Sequence, residues 1–298
     1  MQQTDLIAST HLGKKYNGSE EYNPSLLVPI PRDENRKQYG INSQKLPFLG
    51  WDVWHAYEFS TLTENGIPVT RLMKIKYNCN SDFLIESKSL KLYLNSFNMT
   101  KCGKSIPECL KICKNIIEKD LSQNLKTSVE INFIENNTDV TKIFQKYVNL
   151  YNLVDFASLS VNDFKENPVL LELEQLSEMQ TYYLMFDSLR SNCRVTHQPD
   201  FGDVFIYYKS KKHFKEDGLV KYLSSFRNEF HFHEECCEMI FKRLYDLLDD
   251  DDELFVCALY TRRGGIDINP CRWSKNCNID DFIDLIDLFK YTKHGVKQ

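Results

Sequence analysis

The segment SNCRVTHQPDFG, residues 191–202, holds a cysteine and an aspartate with Pro199 between them. The flanking stretches 179–190 and 203–209 are rich in aromatic and aliphatic residues and read as strands. Cys193 then ends one strand and Asp200 opens the next. Antiparallel pairing brings the thiol and the carboxylate together at one end of a sheet. A soft nucleophile beside a proton donor suits covalent catalysis. Taken by itself, a cysteine near a turn is equally a buried small hydrophobe, and local features favour that simpler reading.

Three further segments carry candidate chemistry. In ESKSLKLY, residues 86–93, Ser87, Lys88 and Lys91 lie at or near a helix N-terminus. Free N–H groups and lysines there can hold a phosphate, or the lysines can form a solvated face. In HFHEECCE, residues 231–238, His233 and Glu234 open a helix, where the dipole favours a glutamate. In YTRRGGIDINP, residues 260–270, Gly264 and Gly265 follow Arg262 and Arg263. That turn either lets a backbone approach a phosphate closely or simply closes a hairpin. There is no G-x-G-x-x-G and no P-loop, so a Rossmann or Walker nucleotide site is not supported. No metal is expected. The chain has no C-x-x-C pair, Cys236 and Cys237 point to different helix faces, and the face shared by Cys109 and Cys113 is apolar.

The elements that must position these groups follow from periodicity. Residues 52–60 and 68–77 read as strands joined through Glu64-Asn65-Gly66, a strong hairpin signal. The later part of 83–97 reads as a helix. Ser105-Ile106-Pro107-Glu108 is a capping box, followed by Ile106, Leu110, Cys113, Ile117 and Leu121 at helical spacing. Thr127 to Ile134 alternates like a strand, and 153–161 is a weaker strand candidate. In the second half, Leu219, Leu223 and Phe226 mark one helix, and Cys237, Ile240, Phe241, Leu244 and Leu248 a longer one. Leu254 to Tyr260 and Ile266 to Arg272 form a hairpin at Gly264-Gly265. The acidic run Asp249 to Glu253 reads as a solvated connection. Each half thus runs β-β-α-α-β-β, an α+β class with an antiparallel sheet and helices on one face. The expected division is an N-terminal extension over 1–45, a first module over 46–165 and a second over 166–298, with the boundary in the polar stretch 162–178.

Composition sets the outer limits. The chain has 298 residues, 42% hydrophobic and 27% charged, which fits a folded globular protein and excludes wholesale disorder. No apolar run reaches the ~18 residues a membrane span needs. Met1 to Gly18 lacks the apolar core of a secretory signal. Ten cysteines without such a signal read as reduced thiols in a cytoplasmic protein. Sequons such as Asn17-Gly18-Ser19 and Asn98-Met99-Thr100 then carry no meaning. The formal charge of −5 argues against gripping a nucleic-acid backbone, while leaving room for small anionic ligands.

Taken together, the motifs resemble one family, the NADPH-dependent nitrile reductases of queuosine biosynthesis (QueF), in their long two-module form. The resemblance rests on Glu86 to Tyr93, Ser191 to Asp200, Phe232-His233-Glu234 and Arg262 to Pro270, with LLVPIPR (26–32) and LGWDVW (49–54) in support. It spans nearly the whole chain. Arg194 stands where Pro or a small residue is usual, and His197 where Asn is common. The resemblance implies two tandem tunnelling-fold modules and reduction of 7-cyano-7-deazaguanine to 7-aminomethyl-7-deazaguanine with two NADPH. It makes Cys193 the nucleophile that forms a thioimide and Asp200 the proton donor. Ile85, Glu86, Ser87, His233 and Glu234 would bind the base, and Ser87, Lys88, Arg263 and Gly264 the NADPH. It also implies a homodimer with no direct nucleic-acid partner. Cys236, two residues beyond Glu234, is either a partner for Cys193 in a protective disulfide or a residue of the helix core, the simpler reading. Two alternatives are a same-fold amidinotransferase acting on the nitrile in tRNA and a non-catalytic deazapurine-binding module. Lys88, Arg263 and the acidic charge disfavour the first, and the joint presence of Cys193 and Asp200 the second.

Overall fold

The computed structural model describes residues 21–135 and 142–292. The first 20 residues of the N-terminal extension, including the sequon at Asn17, lie outside them. The first half contains β1 (Pro29–Pro31), α1 (Asp33–Gln38), β2 (Leu49–Leu62), β3 (Pro68–Asn78), β4 (Phe83–Ile85), α2 (Ser87–Asn95), α3 (Ile106–Leu125) and β5 (Val129–Ile134). Next come β6 (Val148–Asn149), β7 (Leu173–Asn192), β8 (Pro199–Phe214), α4 (Glu216–Ser224), α5 (His233–Tyr245), β9 (Glu253–Tyr260), β10 (Ile266–Trp273) and α6 (Ile283–Ile286).

Local chemistry explains most of these boundaries. Gly66 closes the β2–β3 hairpin at φ +82°, and Gly264 and Gly265 close β9–β10 at φ +57° and +80°. The Ser105 hydroxyl caps α3 by accepting from Glu108 N–H. The return half of the expected capping box is displaced, because Glu108 accepts from Lys104 N–H, 2.8 Å away, rather than from Ser105. The buried face of α3 runs through Cys109, Cys113, Ile117, Leu121 and Leu125, whereas Ile106 is exposed in the first turn and Leu110 only partly covered.

Eight strands form one sheet in the order β5-β3-β2-β10-β9-β8-β7-β6, antiparallel except for the short parallel β6–β7 pair. The two halves join where β2 pairs β10, from Ile266 opposite Ala56 to Trp273 opposite Leu49. The strand expected at 153–161 is absent. That stretch forms turns, with Ser158 and Leu159 N–H donating to Asp155 O, and the last strand of the first half is instead the two-residue β6. Its Val154 and Leu159 pack against the core from these turns, so its apolar residues are covered without strand pairing.

The sheet is buried on both sides at its centre. Along β9, Leu254, Val256, Ala258 and Tyr260 face α4 and α5, while Phe255, Cys257 and Leu259 face the opposite way, under Phe282 and Leu285. The period of two assigns the sides. A separate core fills the space between α2, α3 and the β2–β3–β5 strands. Part of the extension joins these cores: Leu26 and Leu27 pack into the core of the first half and Ile41 into that of the second, where Phe48 also packs, while β1 pairs β4. The acidic run is not wholly solvated. Asp252 is buried and accepts from Ser210 Oγ at 2.7 Å and from Asp249 N–H at 2.9 Å.

Candidate active site

Cys193 lies immediately beyond the last β7–β8 pair, in which Asn192 faces Pro199 and Ser191 faces Asp200. The connecting loop is closed by two backbone bonds, Cys193 N–H to Gln198 O at 2.8 Å and His197 N–H to Cys193 O at 2.9 Å. His197 takes φ +58°, a left-handed conformation that Asn adopts more readily than most residues. Its ring meets Phe230 edge-on at 4.8 Å. Arg194 is buried, donates to Glu235 Oε1 at 3.0 Å and lies over the Phe232 ring. Glu235 Oε2 in turn accepts Phe232 N–H at 2.9 Å, capping α5. Both departures from the family pattern therefore brace the loop. Asn192 completes the join by donating to Glu229 O and accepting from His231 N–H. These bonds bring the end of β7 against the start of α5.

A cavity of about 530 Å³ opens there. It gathers Ile85, Glu86, Ser87, Lys88, Cys193, Asp200, His233, Glu234, Arg263 and Gly264, from four segments and both halves. Ile85, Glu86, Asp200 and Glu234 are buried, whereas Ser87, Lys88, Arg263 and Gly264 are exposed, so the site has a deep floor and a polar mouth. Trp54, Lys91, Thr196, Gln198, His231, Phe232, Thr261, Ile266 and Ile268 also line it. Lys91 and Gln198 stand inside motifs already singled out. Trp54 stands in LGWDVW, which supported the resemblance, but no role in the site was expected of it, since only the register of β2 turns it inward.

Charge is arranged unevenly across this site. Asp200 accepts from Arg263 Nη1 and lies 3.4 Å from His233 Nε2. Burial pushes its carboxyl up, but His233 and Arg263 outweigh that and hold it below the usual carboxylate range. Arg263 also donates to Gln198 Oε1 at 2.5 Å. His233 stacks on Tyr260, with ring centroids 3.8 Å apart and 4° between planes. Glu234 is fully buried, and its Oε1 has no hydrogen-bond partner among the described residues. Burial, with Asp52 nearby, pushes its carboxyl up to about 8. A helix dipole alone does not account for a carboxyl so placed. An unpartnered acceptor on the cavity floor is complementary to a ligand with an N–H edge. Glu86 lines the cavity too, but its carboxylate caps α2, accepting Lys88 N–H at 2.9 Å and Ser89 N–H at 2.6 Å. Cys236 is buried with its Sγ 3.7 Å from Ser191 Oγ, and burial pushes its thiol up to about 12. It is not among the cavity residues, which agrees with a core position.

The fold and site together are those of an α+β protein whose cavity sets a thiol and a carboxyl beside a mouth with exposed cationic side chains. A family model described as "Nitrile reductase, 7-cyano-7-deazaguanine-reductase N-term" matches residues 18–133, and one described as "QueF-like protein" matches residues 199–278. Curated relatives agree. A Colwellia psychrerythraea protein is 37% identical over 278 residues, covering 91% of this chain and 93% of its own. A Coxiella burnetii protein is 40% identical over 270 residues, covering 90% and 92%. A Legionella pneumophila protein is 38% identical over 277 residues, covering 93% of each. All three are named NADPH-dependent 7-cyano-7-deazaguanine reductase. The chain belongs to this nitrile reductase family.

Proposed function

We infer that this chain is an NADPH-dependent oxidoreductase that reduces the nitrile of 7-cyano-7-deazaguanine to 7-aminomethyl-7-deazaguanine, in queuosine biosynthesis. The observation that carries the reading is the meeting of Cys193, Asp200 and Glu234 in one cavity with Lys88 and Arg263 at its mouth. Glu234 Oε1 accepts from the N–H edge of the base and holds the ring, with His233 beside it. The Cys193 sulfur attacks the nitrile carbon. A carbon–sulfur bond forms in place of the thiol S–H bond, whose proton goes to solvent, one π bond of the nitrile opens, and Asp200 delivers a proton to the nitrogen, giving a thioimide whose carbon–sulfur bond breaks again to return the Cys193 thiolate before the amine leaves. The C=N bond so formed accepts hydride more readily than the triple bond does. NADPH supplies that hydride, twice per nitrile, when bound. The mouth suits its phosphates: Ser87 begins α2, Lys88 and Arg263 are exposed cations, and Gly264 keeps positive φ with no Cβ to crowd Lys91 Nζ, which a Cβ would meet at 3.1 Å.

The β-β-α-α-β order common to both halves and the β2–β10 join support two tandem tunnelling-fold modules, 46–165 and 166–298, behind the extension 1–45, although the closing β6 of the first half pairs with β7 of the second. All ten cysteines are free, in keeping with the cytoplasm. A homodimer acting on the free base, with no nucleic-acid contact, completes the reading. Among the described residues no helix is long and apolar enough to cross a membrane.

The test follows NADPH absorbance with and without the cyano-deazaguanine. Two NADPH are consumed per nitrile, and consumption at the background rate with authentic substrate would sink the reading. Protein incubated with substrate alone gains the substrate mass on Cys193, and Cys193→Ala loses both adduct and turnover. An adduct on another cysteine would overturn the assignment.

A further inference from the structure

Three thiols meet away from the cavity. Cys109 and Cys113 lie one turn apart near the start of α3, on its buried face. Cys102, on the preceding loop, comes over them, its Sγ 3.0 Å from Cys109 Sγ and 3.5 Å from Cys113 Sγ. All three sulfurs lie within 4.8 Å of one another.

The loop is shaped to bring Cys102 there. Cys102 N–H donates to Leu62 O at 2.9 Å, and Gly103 takes φ +68°. A Cβ on Gly103 would stand 2.6 Å from the Cys109 backbone nitrogen, so only glycine lets the loop lie so close to the helix. Two oxygens flank the sulfurs: Leu62 O is 3.6 Å from Cys109 Sγ, and Thr61 Oγ1 is 3.9 Å from Cys102 Sγ and Cys113 Sγ. Cys109 and Cys113 are buried, while Cys102 is half-buried and leaves a way in. Packing accounts for single cysteines as small hydrophobes. It does not account for three sulfurs converging from a loop and a helix, where alanine or valine would fill the space.

We propose that Cys102, Cys109 and Cys113 bind one thiophilic d¹⁰ cation, Zn²⁺ or Cu⁺, through three thiolates. Soft sulfur donors select such ions over Mg²⁺ or Ca²⁺. For Zn²⁺, Thr61 Oγ1 or a water supplies the fourth ligand. Metal–sulfur bonds of ~2.3 Å separate tetrahedral sulfurs by ~3.8 Å, so the half-buried Cys102 side chain swings outward by less than ~1 Å. Binding replaces three S–H bonds with metal–sulfur bonds and releases the protons to solvent. The site fastens the loop to α3 and takes no part in the nitrile chemistry, so it stands whether or not the reductase reading does.

The test uses the full-length chain, reduced and stripped with chelator, then titrated with Zn²⁺, Cu⁺ and Co²⁺. The expected result is about one equivalent bound, a thiolate-to-cobalt charge-transfer absorption, and protection of the half-buried Cys102 from a thiol reagent. Cys102→Ser should lose that absorption and weaken binding at least ~10-fold. Without metal it should melt with the parent, which separates a lost ligand from a lost fold. Cys193→Ser should keep the absorption. Failure of all three ions to bind stoichiometrically would overturn the proposal, as would binding indifferent to Cys102→Ser. Failure to bind accompanied by a Cys102–Cys109 disulfide on mild oxidation would mark the cluster as a redox pair instead.

Discussion

Asp200 is proposed to give a proton, yet its neighbours hold it as a carboxylate. His233 and Arg263 keep its carboxyl below the usual range despite burial. A donor so held must first lose a cationic neighbour, and Arg263, with its side chain 39% exposed, is the one placed to leave. Pairing of Arg263 with a cofactor phosphate removes its charge from Asp200 and lets the carboxyl take up a proton, coupling cofactor arrival to acid strength. Arg263→Met should therefore do two things. It should raise the KM for NADPH ~10-fold or more, since a charge-assisted bond is worth roughly 1.5–3 kcal/mol. It should also move the alkaline limb of adduct formation, on which Asp200 loses the proton it must give, to higher pH when measured without NADPH, because an opposite charge that lowered the pKa is gone. An unchanged pH profile would remove Arg263 from this role. Glu234 has the opposite sign. Its folded-state pKa is raised, so its contribution to stability is complete at pH below its unfolded value and is lost as pH rises toward about 8. Glu234→Gln should gain melting temperature relative to the parent between pH ~4.5 and ~8, by an amount equivalent to a few kcal/mol, while binding the base more weakly. A melting difference independent of pH would mean that the carboxyl ionises freely in place. The motifs made Cys193, Asp200 and Arg263 legible, because their residue types name the chemistry. The tasks of Glu235 and Arg194 were not legible, since a capping acid and a loop cation become partners only once β7 and α5 meet.

At the scale of elements, turns were the most readable feature and strand lengths the least. Asn65-Gly66 and Gly264-Gly265 specify their hairpins through positive φ, a property of the residues themselves. By contrast, β7 and β8 run to Leu173–Asn192 and Pro199–Phe214, beyond the apolar windows 179–190 and 203–209 that signalled them. Pairing with a neighbour extends a strand past the point where its own pattern stops. The role of the N-terminal segment was also hidden. Arg36 donates to both Glu238 oxygens at 2.8 and 2.7 Å, Arg32 pairs with Asp52, and Arg272 reaches Asp52 at 2.8 Å and Glu238 at 2.9 Å. This buried network ties the extension, β2, α5 and β10 together beneath the site, and it holds the Glu238 carboxyl down at about 2 against its burial. Breaking one partner leaves uncompensated buried charge. Arg36→Ala should cost ~3–5 kcal/mol, measured by denaturant unfolding. Arg71→Ala, whose guanidinium donates among the described residues to its neighbour's carbonyl at the surface, should change stability by less than ~0.5 kcal/mol. Equal effects of the two would show that the network adds nothing to an ordinary surface contact.

At the scale of the whole molecule, the cavity takes Trp54 and residues 85–88 from one half and Cys193, Asp200, Glu234 and Arg263 from the other, so the halves must stay in register for the site to exist. The β2–β10 pairing supplies that register over eight residue pairs, and Arg272 from β10 reaches the Asp52 side chain and Trp51 O on β2. The cores on either side of the join are distinct in side-chain contacts, yet both rest on strands of one hydrogen-bonded sheet. A seam made of backbone bonds and buried charge at the sheet centre does not open before the cores it joins, so unfolding should be a single cooperative event. The chain carries its own reporters for this. Its three tryptophans, Trp51 and Trp54 on β2 and Trp273 on β10, all lie at the seam. Intrinsic fluorescence therefore reads the join, while far-ultraviolet circular dichroism reads every strand and helix. In thermal or denaturant unfolding the two signals should share one midpoint and one slope, the test of a two-state transition. Arg272→Met, which removes the seam's buried cation, should lower both midpoints together. Fluorescence that changes well before circular dichroism, in the parent protein, would mean that the halves part while still folded and that the seam is an interface between two independently stable modules.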